Sequence, residues 1–331
     1  RSSPARPAGR LVSSRPPACA LLRRMGVRWV KLLPMVLRIN PSKALLWRNP
    51  NEVQFGAAAD AVRLANLTAG QERLLGLLSR GIADDYFERV ADAVGADDSE
   101  ELLQTLEPVL LRDTDTQADF SAEFIEARFA EICRAQAIHS REGTAVFAAR
   151  QQRHVFVQAN TSAHNLILQS LEQSAIANLT SHTFEPDRTK IDFAVLLSNN
   201  AVAPSEYTRW LASGVAHVSA VFDSEGVSVS PIIETGKTPC LSCFHENQTA
   251  EDAAWPALAS QLLFSQQKFD ESVASLFAAA VICQRVLQFC DNLAGFQSSS
   301  VNRSGYRLST ASGQITEFSW QFNPACTCRI A

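Results

Sequence analysis

Apolar residues change their spacing along the chain, and each change predicts a different kind of element. Residues 1–34 show no apolar period; Arg, Pro, Ser and Ala dominate, and a disordered basic tail is expected there. Residues 43–56 set short apolar runs on either side of Asn49-Pro50-Asn51, which predicts two short strands around a turn. Thr68 then stands as a helix cap, with Gln71 three residues on completing a capping box ahead of Leu74, Leu75, Leu77 and Leu78. Gly81 ends that helix. A second is predicted from Ala83 through Tyr86, Phe87 and Val90 to Gly95. A third starts at Ser99, with Glu100 and Glu101 at the positive end of its dipole, and stops by Pro108. Strands followed by three short helices predict a small winged-helix-like α+β domain over 35–118. Within 119–150, Phe120, Phe124, Ile125, Phe129, Ile132 and Cys133 recur at helical spacing. They predict one amphipathic linker helix over 119–139, whose apolar face serves core packing or a homodimer contact.

From His154 the pattern shortens again. His154–Val157 reads as a strand, a helix follows over Thr161–Ser174, and further strands are predicted at Ile176–Leu179, Phe193–Leu197, Val218–Phe222 and Val227–Ser230. Such alternation predicts an α/β domain over 151–331, a mostly parallel, Rossmann-like sheet covered by helices.

Composition narrows the function. At 331 residues the chain has room for two domains, and 46% hydrophobic with 19% charged residues is ordinary for a globular protein. No run approaches eighteen uninterrupted apolar residues, so no membrane span is expected. No apolar signal core precedes Cys19, and a cytoplasmic location is expected. Residues 1–50 carry eleven Arg and Lys and no acid, whereas residues 51–150 carry nineteen Asp and Glu against nine Arg and Lys. The folded part is acidic, so nucleic acid is not the expected partner, and a winged-helix DNA-binding regulator is the least favoured reading. A peptide, laid on a strand edge beside apolar pockets, suits an acidic module better.

Candidate chemistry gathers on cysteine. Cys240 and Cys243 form a C-x-x-C knuckle after Gly236-Lys237-Thr238-Pro239, and Cys326 and Cys328 form a C-x-C pair near residue 331. Two close pairs of thiols can close a four-sulfur cage, the shell zinc takes when its role is structural. Unrelated buried cysteines and disulfides are the alternatives. His245, just past the knuckle, is a reserve ligand. Cys133, Cys283 and Cys290 lie on apolar helical runs and read as small core residues.

The turn after the first strand of such a sheet is where nucleotides bind, through glycines that admit phosphate oxygens to the backbone. Here it reads Gln158-Ala159-Asn160-Thr161-Ser162-Ala163, without glycine. Gln158, Asn160 and Thr161 are therefore candidates for a degenerate nucleotide loop, and ATP with Mg²⁺ is not the favoured ligand. The ribose-binding acid is replaced by Ser181-His182-Thr183, with Glu185 slightly late. His164, in the following helix, reads as a solvated side chain or a ligand contact.

With these residues in view, the chain resembles the ThiF-like adenylyltransferases, relatives of ubiquitin-activating enzymes. It looks most like the branch that accompanies cyclodehydratases in azole-modified peptide biosynthesis. The marks are Gly236 through Phe244, Ala254-Trp255-Pro256, the Ala-rich helix Ala278–Leu287 and the ending Asn323-Pro324-Ala325-Cys326-Thr327-Cys328. Trp47 with Gln54-Phe55-Gly56 is similar to that branch's peptide-recognition domain. The resemblance implies structural zinc on Cys240, Cys243, Cys326 and Cys328. It implies ATP and Mg²⁺ for the family, but Ser198-Asn199-Asn200 stand where its acid should follow a strand, and Arg188 and Lys190 are the nearest cations. The reading that results is a non-catalytic, zinc-stabilised ThiF-like protein recognising a peptide or protein partner. An ATP-dependent adenylyltransferase activating a peptide carboxylate is the alternative.

Overall fold

The structure is a computed structural model that describes residues 35–113, 120–139, 143–181, 187–296 and 304–329. The basic tail 1–34, and the ribose position at His182, Thr183 and Glu185, lie outside the described residues.

The first unit holds β1 (Val36–Ile39), β2 (Leu45–Asn49), β3 (Glu52–Phe55), β4 (Arg63–Ala65), α1 (Ala69–Leu78), β5 (Ile82–Ala83), α2 (Phe87–Val94), α3 (Ser99–Leu106) and β6 (Leu110–Asp113). β2 and β3 pair antiparallel around the Asn-Pro-Asn turn, with Trp47 opposite Val53. The capping box closes in both directions: Gln71 N donates to Thr68 Oγ1 at 3.2 Å, and Thr68 N donates to Gln71 Oε1 at 3.0 Å. α2 ends on Gly95 at φ 67°, a left-handed stop. The strands form two three-stranded sheets, ordered β5-β1-β6 and β2-β3-β4. Strands β1, β4, β5 and β6 escape sequence patterning because two to four residues carry too few alternations. Leu37, Phe55, Leu74, Leu78 and Leu106 fill the common core.

The linker differs from expectation. In place of one helix over 119–139 there are two, α4 (Ala122–Ala127) and α5 (Phe129–His139), followed by α6 (Gly143–Gln151). The chain leaves helical geometry at Arg128, φ −121° and ψ 20°, while the apolar spacing runs on across the break. Arg128 lays its guanidinium 4.2 Å from the Phe124 ring centre. α5 joins the first unit through Asn40 Nδ2 and Ser42 Oγ, which donate to the carbonyls of Gln136 and Cys133 at 3.0 Å each. It joins the second through a buried cluster. Arg150 clamps Asp291 with two bonds of 2.8 and 2.7 Å, and His139 Nε2 lies 2.8 Å from the same carboxylate. Removing one partner of such a cluster strands a buried charge, at about 3–5 kcal/mol.

The second unit carries β7 (His154–Val157), α7 (Ala163–Gln173), β8 (Asn178–Thr180), β9 (Phe193–Asn199), α8 (Pro204–Ala212), β10 (Ala216–Asp223), β11 (Gly226–Val229), α9 (Leu241–Glu251), α10 (Trp255–Leu263), α11 (Ser272–Leu293), β12 (Gly305–Ser309) and β13 (Ile315–Phe318). They form one seven-stranded sheet ordered β13-β12-β11-β10-β9-β7-β8. The four strands β8, β7, β9 and β10 are parallel, as an α/β reading requires. β11, β12 and β13 continue the sheet antiparallel, so the parallel character stops at β10. β10 and β11 are joined by a two-residue turn too short for a parallel crossover.

Alternation along β9 sorts the core. Phe193, Val195 and Leu197 face Ile167 of α7 and Ile282 of α11. Ala194 and Leu196 face Trp210 of α8 and Leu241 of α9. α11 is long and apolar enough to cross a membrane, but 56% of its apolar window is buried within the molecule, where it packs on α7 and β11. The chain moves from β7 to β8 on one side and then to β9 on the other. The C-terminal ends of β7 and β9 therefore flank the point where strand order reverses, the usual ligand crevice of such sheets.

Candidate functional site

The four cysteines meet. Cys240 is the N-cap of α9 and Cys243 lies in its first turn, at the positive end of the helix dipole. The preceding turn needs Gly236, whose φ is 77° and whose N–H donates to the Cys328 carbonyl at 3.0 Å. That bond ties the knuckle to the final segment directly. Asn247 of α9 donates to the Gln321 carbonyl at 2.9 Å and accepts from Asn323 Nδ2 at 2.8 Å, which carries the C-x-C pair back onto the helix.

All four Sγ atoms lie within 4.8 Å of one another. Cys240 and Cys243 are 3.9 Å apart, Cys240 and Cys326 3.6 Å, and Cys243 and Cys328 3.5 Å. A tetrahedral ion with Zn–S bonds of about 2.3 Å needs sulfurs about 3.8 Å apart. The residues present fit such an ion, and four sulfurs leave it no open position for a substrate. Burial pushes the Cys326 thiol up to about 11 and raises that of Cys328. For Cys243 burial acts the same way, but hydrogen bonds involving the backbones of Asn323 and Cys240 and the thiols of Cys328 and Cys326 outweigh it, and the group sits below its ordinary value. A metal entering the cage would displace these protons.

His245 is outside the cage: its Nδ1 accepts from Trp255 Nε1 at 3.1 Å. Cys283 and Cys290 are buried in α11, where burial lifts both thiols to about 12. They are inert packing residues, as their positions on an apolar run suggest.

The nucleotide corner is closed by the protein's own side chains. Gln158 turns inward: its Oε1 accepts from Leu197 N at 3.1 Å and its Nε2 donates to Glu206 Oε2 at 3.1 Å. Asn160 is exposed, and Asn200, just past β9, takes left-handed backbone at φ 67°. Thr161 Oγ1 and His164 Nδ1 are buried without hydrogen-bond partners. Ser162 caps α7 but makes no side-chain cap bond. Its N–H and its hydroxyl both donate to Asp270 Oδ2, at 2.6 and 2.8 Å.

Asp270 was not legible as a site residue, since it lies 108 residues from Ser162 in a polar stretch ahead of α11. The chain there is laced to the end of β9. Phe269 N donates to Asn199 Oδ1 at 2.6 Å, Asn199 Nδ2 to Asp270 Oδ1 at 3.3 Å, and Asn200 Nδ2 to the Gln267 carbonyl at 3.0 Å. Burial raises the Asp270 carboxyl, but its bonds from Ser162 more than compensate and hold it below its ordinary value. A carboxylate thus occupies the α7 N-terminus, the place a phosphate takes in dinucleotide folds. The two cations expected nearby are engaged elsewhere: Arg188 donates to the Arg209 carbonyl at 3.3 Å, and Lys190 pairs with Asp187 at 3.3 Å.

No family model and no curated protein matches the sequence. Solved structures do. The chain is similar to E. coli MccB with ATP, at TM-score 0.61 and 11% identity over 89% of this chain and 100% of that one. E. coli MccB with MccA-N7isoASN gives TM-score 0.61 and 12% identity, over 89% and 99%. The heterocyclase TruD gives TM-score 0.58 and 12% identity over 88% of this chain; the likeness spans 42% of that longer protein. The chain shares the fold of these proteins, and the likeness supports the ThiF-like resemblance at the level of fold.

Proposed function

We propose that this chain is a peptide- or protein-recognising component of the ThiF-like type that accompanies cyclodehydratases. Its α/β domain is clamped by zinc on Cys240, Cys243, Cys326 and Cys328 and does not process ATP. One observation carries this reading: Asp270 holds both donors of Ser162 at the helix terminus a phosphate would need. A nucleotide would have to evict a carboxylate, break the Asn199 and Asn200 bonds, and meet no glycine in the loop. Preorganised positive charge is what phosphoryl chemistry requires, and the corner offers the opposite sign.

Recognition falls to the winged-helix-like module. β2 and β4 are the outer strands of its β2-β3-β4 sheet, and Trp47 on β2 is 53% exposed. An extended peptide can add to such an edge. The neighbours give support from their side, since MccB was solved with MccA and a heterocyclase was solved with substrate and cofactor.

The second reading, an ATP-dependent adenylyltransferase acting on a peptide carboxylate, is favoured by the full-length likeness to MccB with ATP. Titration calorimetry of the full chain with Mg-ATP separates the two. The expected result is no binding heat up to millimolar nucleotide; a micromolar dissociation constant reverses the ranking in favour of the enzyme.

A further inference from the structure

The sheet has a second crevice, which starts at Asn200 just past β9 and runs along the face that α9 covers. A cavity of about 530 Å³ lies on the α9 face, floored by β10, β11 and β12 and roofed by α9 and residues 318–321. That volume is in the range of sites that hold small molecules and peptide side chains, about 300–1,000 Å³. The sequence offered only its fragments, because the lining residues are scattered from Asn200 to Gln321.

Its walls are aromatic. Phe244 and Trp320 stack with ring centres 5.2 Å apart and planes 28° apart, and Trp255 stands edge-on to Phe244 at 6.2 Å and 88°. The Trp255 N–H is already spent on His245, which fixes the indole without exhausting its π face. All three rings are seated by α9, so the cysteine cage that anchors the helix also sets this wall.

The charge at the floor and rim is negative. Arg307 is the lining cation, and it is fully compensated: Asp223 grips it at 2.9 and 3.0 Å, and Glu225 adds a third bond of 3.0 Å. Glu251 remains at the rim, with only a 3.3 Å bond from Gln248. An anion would face two lining carboxylates, Asp223 and Glu251, against one guanidinium. An aliphatic group would fill the space but use none of the charge. A cation gains from the ring faces and from the carboxylates together. The entrance is also continuous with a strand edge, because β13 is the outer strand of the sheet and its last residue, Phe318, lines the cavity.

We propose that this aromatic, net-acidic cavity binds the side chain of an arginine or lysine in an extended peptide. The proposal rests on the peptide-recognition reading above and assigns that peptide a second, separate anchor.

The test uses the full chain, labelled so that the indole N–H signals of Trp47, Trp255 and Trp320 are resolved by NMR. It is titrated with the blocked pentapeptide acetyl-Gly-Gly-Arg-Gly-Gly-amide and with versions carrying Lys, Leu, Phe or Glu at the centre. The expected result is saturable movement of Trp255 and Trp320 with Arg and Lys, about tenfold tighter than with Leu. Glu251→Gln should weaken Arg binding about fivefold, and Trp320→Ala should weaken it further; Glu251→Gln alone decides if the second variant does not fold. Equal binding of Leu or Phe, preference for Glu, or no movement with any peptide overturns the proposal. Movement of Trp47 alone also overturns it while leaving the N-terminal reading intact. Movement of Trp255 and Trp320 without Trp47 upholds it and counts against the strand-edge site.

Discussion

His217 shows how burial sets chemistry at a single position. It enters β10 fully buried, with Nδ1 donating to the Val215 carbonyl at 3.0 Å and Nε2 unpartnered. Burial drives its pKa down to about 4 from an ordinary 6.5. The unfolded chain therefore binds the proton more tightly than the folded one between those values. Stability is complete above about pH 6.5 and is lost as pH falls toward 4, by about 3 kcal/mol from this residue. His217→Gln keeps a donor for Val215 and cannot titrate. Urea unfolding at pH 7 and pH 4 should show the variant losing about 3 kcal/mol less than the parent; identical losses would rule this origin out. The placement of His217 at a strand entry was legible from the apolar run that follows it. Its missing partner was not, because the bridge from Ile233 that covers the site comes from a segment without strand pattern.

At the scale of elements, the sequence speaks clearly where a pattern is long and local. The capping box at Thr68, the glycine stop at Gly95 and the bilaterally buried run of β9 were all readable in a few residues. Breaks were not, since the apolar spacing of 119–139 continues through Arg128 as if the helix did. Direction was not either: Val227–Val229 reads as a strand whichever way it pairs. Least legible was the strap over the nucleotide corner, whose bonds join Asp270 to Ser162 and Asn199 across 108 and 71 residues. That strap can be weakened without touching the core. Asp270→Asn removes the charge from two short hydrogen bonds and should cost about 1–2 kcal/mol. Hydrogen exchange at Ser162 and across residues 267–271 should quicken about tenfold, with α7 and β9 unchanged; unaltered protection there would mean the carboxylate does not hold the corner shut.

The whole molecule joins a small module, a helical linker and a seven-stranded α/β unit. The linker touches both neighbours, through Asn40 and Ser42 on one side and Asp291 on the other. Two class-level readings came through from the sequence: the mixed α/β architecture and the convergence of two cysteine pairs 83 to 88 residues apart. The spacing raised the cage as a candidate, but only the fold, by bringing the final segment against α9, could bring the pairs together. The aromatic cavity was invisible for the same reason, since it is assembled from six separate elements, β10 to β13, α9 and α10. The account depends on a domain held by sulfur ligation while its phosphate corner is filled. Thermal melting of the full chain as purified, after exhaustive chelation, and with 1 mM Mg-ATP tests both halves at once. The prediction is a midpoint lowered by about 10 °C or more on metal removal, and no shift with nucleotide. An unchanged curve after chelation, or a rise with Mg-ATP of the size that a dissociation constant of about 10 μM would produce, about 3 kcal/mol, contradicts it.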